Sequence, residues 1–368
     1  MPDLPTTQRA AVYYRNRDVR IEERPVPAIG PGELLVRIEA SGICGSDVLE
    51  WYRTRKAPIV LGHEVAGDIV RAGEGVTRYA VGDRIAFNHH VPCNTCRYCL
   101  AGNHTACETL HTTHFDPGGF CEYVRVPALQ TDRGVYPLPD HVTYEEGSFV
   151  EPLACVVRGQ RSAGLRPGQT VAVLGSGISG VLHVALAAAS GAGRIVATDV
   201  APHRMEFAKR FGAAEVCDAR DDVPAFVRDA LGHPADLVVV CAGALAAFEQ
   251  ALACVDRGGT VLCFATTDPG VELSVPLNDF WRNDITLKPS YGNSPQDASV
   301  ALELIANRRV PVAEMITHRL PLAETPRGFE LMSTPGGEHL KVVILPQGYQ
   351  TAAREKRLRK QEDTLAGI

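Results

Sequence analysis

The chain has no long apolar run, no surplus of basic charge, and no repeated or low-complexity segment. Each absence removes a class of function. Its longest apolar helical pattern falls short of the roughly 20 residues that span a bilayer. The opening Met1-Pro-Asp-Leu-Pro-Thr-Thr lacks both the basic and the apolar region of a signal peptide, so a cytoplasmic protein without membrane attachment is expected. A formal net charge of -6 gives no reason to expect nucleic acid as a partner. An even, dispersed set of cysteines is missing too. There are 11, an odd number, and four crowd between positions 93 and 107, which suits thiolate ligands in a reducing compartment better than disulfides. Cys121, Cys217, Cys241, Cys254 and Cys263 stand singly in apolar settings and read as core thiols.

What remains is a chain of 368 residues, 45% hydrophobic and 22% charged, too long for one ordinary core, so two domains are expected. The stretch Val171-Ala-Val-Leu-Gly-Ser-Gly-Ile-Ser-Gly180 organises it. Four apolar residues predict a buried strand, and Val181 to Ala189 predicts a helix. Between them Gly175, Gly177 and Gly180 take the spacing G-x-G-x-x-G, with Ile178 and Ser179 opening the helix. This order suits a dinucleotide, whose pyrophosphate sits on N–H groups at the helix start. A second apolar run, Arg194-Ile-Val-Ala-Thr-Asp199, ends in a carboxylate placed to hold a ribose 2′-hydroxyl, which favours NAD; Arg204 leaves room for NADP. A glycine-rich turn without ligand is the plainer alternative.

From Ala11 to about Val150 the pattern is short β runs broken by glycine and proline, for example Glu33–Glu39, Val65–Val70 and Phe120–Val126, which predicts a small barrel-like β domain. After Arg166-Pro-Gly168 strands and helices alternate: strands at 171–174, 194–198, 236–240, 260–264 and 285–288, helices at 178–189, 202–211 and 244–254. Alternation predicts a parallel sheet with helices on both faces, a ligand lying at the carboxyl ends of the strands. From Pro295 one helix, 296–307, and a closing strand, 340–345, are expected. The charged end, Arg354 to Asp363, reads as a solvated appendage or a subunit contact.

Two clusters carry metal chemistry. Cys93-Asn-Thr-Cys96-Arg-Tyr-Cys99 with Cys107 gives C-x2-C-x2-C-x7-C. Four thiolates so close can surround one zinc at about 2.3 Å each and leave no open position. An iron–sulfur cluster also takes four thiolates, at other usual spacings. The second set is dispersed: Gly42-Ile-Cys44-Gly-Ser46-Asp47, Leu61-Gly-His63-Glu64 and Glu151-Pro-Leu-Ala-Cys155. Thiolate, imidazole and carboxylate with one place left for water or substrate make a catalytic zinc site. Singly, each has an ordinary structural explanation, so the weight lies in the combination.

With these motifs together, and with Val81-Gly-Asp-Arg84 and Gly118-Gly-Phe-Cys-Glu-Tyr123, the sequence resembles the zinc-dependent medium-chain dehydrogenases, in the branch of sorbitol (polyol) and threonine dehydrogenases, over nearly its whole length. The resemblance implies an α/β protein. A GroES-like β-barrel catalytic domain would take residues 1–155, with a structural-zinc lobe at about 90–110. A Rossmann doubly wound domain would take 156–294, and 295–368 would return to the first domain. The active site would lie in the cleft between the two domains.

It also implies two zinc ions per chain. Cys44, His63 and Glu64 would ligate the catalytic ion, and Glu151 would be a ligand or a close partner of its bound water. Ser46 would begin a proton relay, Tyr291 would stand near that water, and Ala242, Gly243 and Ala265 would join the glycine turn around the cofactor. The expected reaction is hydride transfer between NAD and a secondary alcohol (polyol, cyclitol, sugar or amino alcohol), in a homodimer or homotetramer. A carbonyl reductase using NAD(P)H and a catalytically silent dinucleotide-binding protein are the alternatives. Three departures count against sorbitol itself. Val48, Leu49 and Glu50 stand where relatives often carry a histidine, the segment from Leu49 to Val60 is short, and Ser290 replaces an arginine many polyol enzymes place before Tyr291.

Overall fold

Val171–Leu174 is buried along its whole length because it lies inside a six-stranded sheet with a neighbour on either side. In this computed structural model, which describes residues 4–348 apart from Pro335, all six strands run parallel. Their order is Glu215–Asp218, Ile195–Asp199, Val171–Leu174, Ala235–Val240, Val255–Cys263 and Thr286–Pro289. The chain winds outward from Val171–Leu174 in one direction, returns, and winds outward in the other, so the order reverses beside the glycine turn.

Alternate residues of a strand point to opposite faces. Val171 and Val173 pack with Val184, Ala187 and Ala208 from helices Ile178–Ala189 and Pro202–Arg210. Ala172 and Leu174 pack on the other side with Val227, Phe248 and Ala251, from helices Val223–Leu231 and Leu245–Cys254.

The pattern had missed Glu215–Asp218 and Val223–Leu231. The strand lies at the sheet edge, is only partly covered and carries two acids in four residues, so it shows no apolar run. The helix is short, but its ends were written: Asp222 caps Ala225 N at 3.0 Å, and Gly232 closes it at φ 83°. Val255–Cys263 also begins five residues before the expected 260, through Gly258-Gly259.

The chain divides into two compact units: Met1–Pro152 with Ser294–Asn307 and Pro311 onward, and Leu153–Asn293 with Arg308–Val310. The division falls three residues before the expected 155, and one turn of chain, 308–310, goes with the dinucleotide-type unit. In the first unit a mixed sheet runs Ile316–Pro321, Lys341–Leu345, Leu34–Gly42, Glu64–Ala72, Arg84–Phe87, Val135–Pro137, with Tyr123–Val126 also paired to Leu34–Gly42. A three-stranded sheet of Asp18–Pro25, Thr7–Arg15 and Ile59–Val60 accompanies it.

Beyond Pro295 the structure adds the strand Ile316–Pro321 and the helix Thr325–Ser333 to the expected helix, Pro295–Ala306, and strand. Helix Val150–Ala163 was not expected either. Pro152 and Gly159 punctuate its sequence, yet Pro152 sits in the first turn, where a missing N–H costs nothing. Arg354 to Asp363 lies outside the described residues.

Candidate active site

Strand register brings the dispersed metal donors together. Leu34–Gly42 and Glu64–Ala72 pair antiparallel, with Gly42 opposite Glu64. The chain leaving Gly42 therefore turns beside the one arriving at His63. That turn is a short 3-10 segment, Gly45–Val48, capped by Cys44: the thiol accepts from Ser46 N at 3.4 Å, and Asp47 returns a carboxylate to Cys44 N at 3.1 Å. Donor atoms of Cys44, His63 and Glu64 lie within 4.8 Å of one another. Such a soft sulfur, nitrogen and oxygen set fits zinc.

Asp47, fully buried, fixes the imidazole. Its Oδ1 lies 3.3 Å from His63 Nδ1 and 3.2 Å from Arg53 Nη2. Nδ1 is thus occupied and Nε2 is left for a metal. Burial opposes a charge on His63, but the Asp47 carboxylate and the Cys44 sulfur outweigh it and hold its pKa well above the ordinary value. Burial likewise opposes charge on Asp47, and His63 and Arg53 overcome it to hold that pKa low. A metal at His63 competes with this proton, so affinity falls toward acid pH.

Glu64 is buried and ion-paired with Lys341, itself fully buried. The ammonium also donates to Ile43 O at 3.2 Å. Only glycine fits at 42, since a Cβ there would overlap the Glu64 carboxylate and crowd Lys341 Nζ at 2.9 Å. Sequence reasoning did not single out Lys341 or Arg53. The signal for Lys341 was a lone charge within the apolar Leu340-Lys-Val-Val-Ile-Leu345. Arg53 donates from Nη2 to Ser46 Oγ and from Nε to Ser46 O, both at 2.9 Å.

Glu151 is buried in the first turn of Val150–Ala163, and its carboxylate is not among the donors within 4.8 Å of one another. Tyr291 belongs to the other unit, is 50% exposed, and follows the strand Thr286–Pro289.

The four-cysteine loop is formed as its spacing suggests. All four sulfurs lie within 4.8 Å of one another. Backbone N–H groups of Thr95 and Cys96 point at Cys93 Sγ at 3.4 and 3.2 Å, and Cys93 N points at Cys107 Sγ at 3.4 Å. The Thr95 hydroxyl and these amides lower the Cys93 thiol to about 5, so it is a thiolate at neutral pH. Four sulfurs leave no room for substrate, which is the donor set of a structural zinc. The remaining thiols behave as core. Burial pushes Cys254 up to about 12 and Cys217 to about 11.

In the other unit the glycine turn joins Val171–Leu174 to Ile178–Ala189. Gly175 takes φ 98°, and a Cβ at Gly180 would overlap the Gly175 carbonyl, so both need glycine. Gly177 caps the helix and faces open space, where an anion can approach the first N–H groups of Ile178 and Ser179. Asp199 closes Ile195–Asp199, its carboxylate accepting from Ser176 N at 2.7 Å and Ala201 N at 2.9 Å. Each carboxylate oxygen keeps a lone pair for a sugar hydroxyl. Ala242 and Gly243 follow Ala235–Val240, Ala265 follows Val255–Cys263, and Arg204 lies half-buried in Pro202–Arg210, so the expected cofactor positions gather at the carboxyl ends of parallel strands.

Comparison with known proteins agrees with both halves. The alcohol dehydrogenase GroES-like domain family matches residues 30–140, and the zinc-binding dehydrogenase family matches 180–307. A sorbitol dehydrogenase from Gallus gallus is 34% identical, over 91% of this chain and 95% of its own. An L-threonine 3-dehydrogenase from Rhizobium johnstonii is 33% identical, over 88% and 94%. Among solved structures, a protein from Sinorhizobium meliloti bound to NADP is 30% identical, with a TM-score of 0.83 over 93% of this chain and 100% of that one.

Proposed function

The chain belongs to the zinc-dependent medium-chain dehydrogenases, in the branch of sorbitol and threonine dehydrogenases, and is an alcohol or polyol dehydrogenase; from that premise we propose which residues carry hydride transfer between a secondary alcohol and NAD. The carrying observation is the convergence of Cys44, His63 and Glu64 on one point beside Ser46.

Bound there, zinc supplies Lewis acidity toward an alcohol oxygen, and the nicotinamide supplies the hydride acceptor. The protein holds and orients both. Cys44, His63 and Glu64 grip the ion, Asp47 fixes the imidazole, and Lys341 balances Glu64. Ser46 receives the alcohol proton; its hydroxyl, held by Arg53, has one lone pair to accept and one proton to pass on. Glu151 and Tyr291 are proposed to orient water and substrate. The glycine turn cradles the pyrophosphate, and Cys93, Cys96, Cys99 and Cys107 hold a second, structural zinc. Zinc-loaded protein should form NADH from secondary alcohols in a screen of polyols, cyclitols, sugars and amino alcohols. No turnover with any of them would defeat the reading.

We assign NAD rather than NADP to Asp199, whose carboxylate accepts a 2′-hydroxyl and repels a 2′-phosphate. Asp199→Ala should weaken NAD binding by roughly 10- to 100-fold, the worth of a hydrogen bond to a charged group, and NADP binding far less. An unchanged preference in titrations of both cofactors would contradict the assignment.

A homo-oligomer is proposed on the exposed apolar face of the dinucleotide-type unit. Leu277 is 77% and Trp281 81% exposed, beside the sheet-edge strand Thr286–Pro289. Large apolar groups next to an unpaired edge invite a second copy. Trp281→Glu should shift the protein toward monomer in sedimentation while leaving zinc content intact. A cytoplasmic site is proposed because four of the 11 cysteines converge as a set of metal-ligand sulfurs, which a reducing compartment keeps available. Among the described residues no helix is long and apolar enough to cross a membrane.

A further inference from the structure

Four imidazoles run outward from the metal donors. His63 lies 4.8 Å from His89, His89 3.8 Å from His90, and His90 4.8 Å from His114, measured between ring centres. Exposure rises along the series, from buried His63 to exposed His114. Two short helical turns, Glu50–Arg53 and Thr54–Lys56, are tied to the first of these imidazoles through Asp47, which meets both His63 and Arg53. Their cations rest on their own aromatic rings: Arg53 at 4.7 Å and Lys56 at 5.5 Å over Tyr52, and Arg55 at 6.0 Å over Trp51.

The neighbouring carboxylates are already engaged. Asp47 serves Arg53, His63 and Cys44 N, Glu64 serves Lys341, and Glu50 accepts from Asn16 N at 3.2 Å. Burial, then Lys56 and Arg53, lower the pKa of His114, so both cations act on that imidazole. Two buried polar atoms have no hydrogen-bond partner among the described residues, Trp51 Nε1 on the segment and His89 Nδ1 in the histidine series. Such atoms cost free energy until something satisfies them.

We propose that the alcohol oxidised here carries an anionic group, a carboxylate or a phosphate, received by residues 51–56 together with His89 and His114. An apolar alcohol would leave the buried polar atoms unmet, and a neutral polyol would leave Arg55 and Lys56, which have no ion pair among the described residues, unmatched. An anion answers both. The inference rests on the dehydrogenase reading for the word alcohol, but its geometry stands apart from turnover.

The chain has two tryptophans, so Trp281→Phe leaves Trp51 as sole fluorescent reporter of the segment. In zinc-loaded Trp281→Phe protein, two matched pairs are titrated: 3-hydroxybutyrate against butane-1,3-diol, and sorbitol 6-phosphate against sorbitol. The anionic member of at least one pair should bind about tenfold or more tighter, as charge-assisted hydrogen bonds require; the larger ratio tells carboxylate from phosphate. High salt should shrink the ratio, and adding Arg55→Glu and Lys56→Glu should abolish it without weakening the neutral members.

Ratios near one in both pairs would overturn the proposal. So would a preference that survives both charge reversals, because the anion would then sit on the metal. An active dehydrogenase with ratios near one sinks this site alone. A protein that keeps the charge-dependent preference but forms no NADH sinks the dehydrogenase reading alone.

Discussion

Cys44→Ser should leave one zinc per chain instead of two and lower alcohol oxidation by roughly a thousandfold or more, since a metal's Lewis acidity is worth several kcal/mol and each 1.36 kcal/mol is a factor of ten. A serine hydroxyl stays protonated at neutral pH and is a hard, neutral donor, so the remaining pair has neither the charge nor the softness to retain zinc against exchange. The fold should survive. Cys44 caps only a four-residue turn, and Asp47 still closes that turn through Cys44 N, which the substitution keeps. The four-cysteine loop draws its stability from its own amides and from Arg133, which donates to Pro92 O at 3.3 Å and also to Cys93 O. It should stay loaded. Metal analysis beside the NADH rate separates the outcomes: full activity with one zinc would remove the metal from the mechanism, and loss of both ions would mean that the two sites are not independent.

The difference between these two sites is also the difference between what could and could not be read without coordinates. Cys93, Cys96, Cys99 and Cys107 lie within fifteen residues, so their spacing alone implies proximity. The same holds for Gly175, Gly177 and Gly180, where a strand, a turn and a helix follow one another without a long-range contact. Cys44 and His63 meet only because Gly42 pairs with Glu64, and register is not written locally. Resemblance to a family supplied that pairing where periodicity did not. Lys341 is further from sight: it reaches Glu64 from nearly three hundred residues away because Lys341–Leu345 pairs with the end of Leu34–Gly42, Val343 opposite Gly42.

The missed elements have local causes. Glu215–Asp218 is a polar edge strand, and Val150–Ala163 has a proline and a glycine where a helix pattern is expected to stop. The buried polar groups around Asp47 and Arg53 break the rule that charges stay outside. Local patterns fail most often where residues are arranged for chemistry rather than for packing.

Lys341→Met should cost about 3–5 kcal/mol of stability in zinc-free protein, because removing one partner of a buried pair leaves the other uncompensated. Among the described residues the one other hydrogen-bond partner of the ammonium is the Ile43 carbonyl, an acceptor like the carboxylate, with the Phe149 ring centre 5.5 Å away. Urea midpoints of metal-free protein measure the loss, and Lys341→Met with Glu64→Gln should recover part of it, since the orphaned charge goes as well. A loss below about 1 kcal/mol in the single variant would mean the pair is solvated after all.

Zinc turns the same variant into a test of what Glu64 does. If the carboxylate is a ligand, the ion replaces the missing positive charge, and Lys341→Met protein should bind zinc more tightly and regain stability on loading. If Glu64 stays with Lys341 and leaves the metal to Cys44, His63 and a water, zinc affinity should hardly change while the stability deficit persists in the loaded protein. Buried as it is, the Glu64 carboxylate needs a positive partner in every state, and the competition between an ammonium and a metal for that one group sets how firmly the site holds its ion.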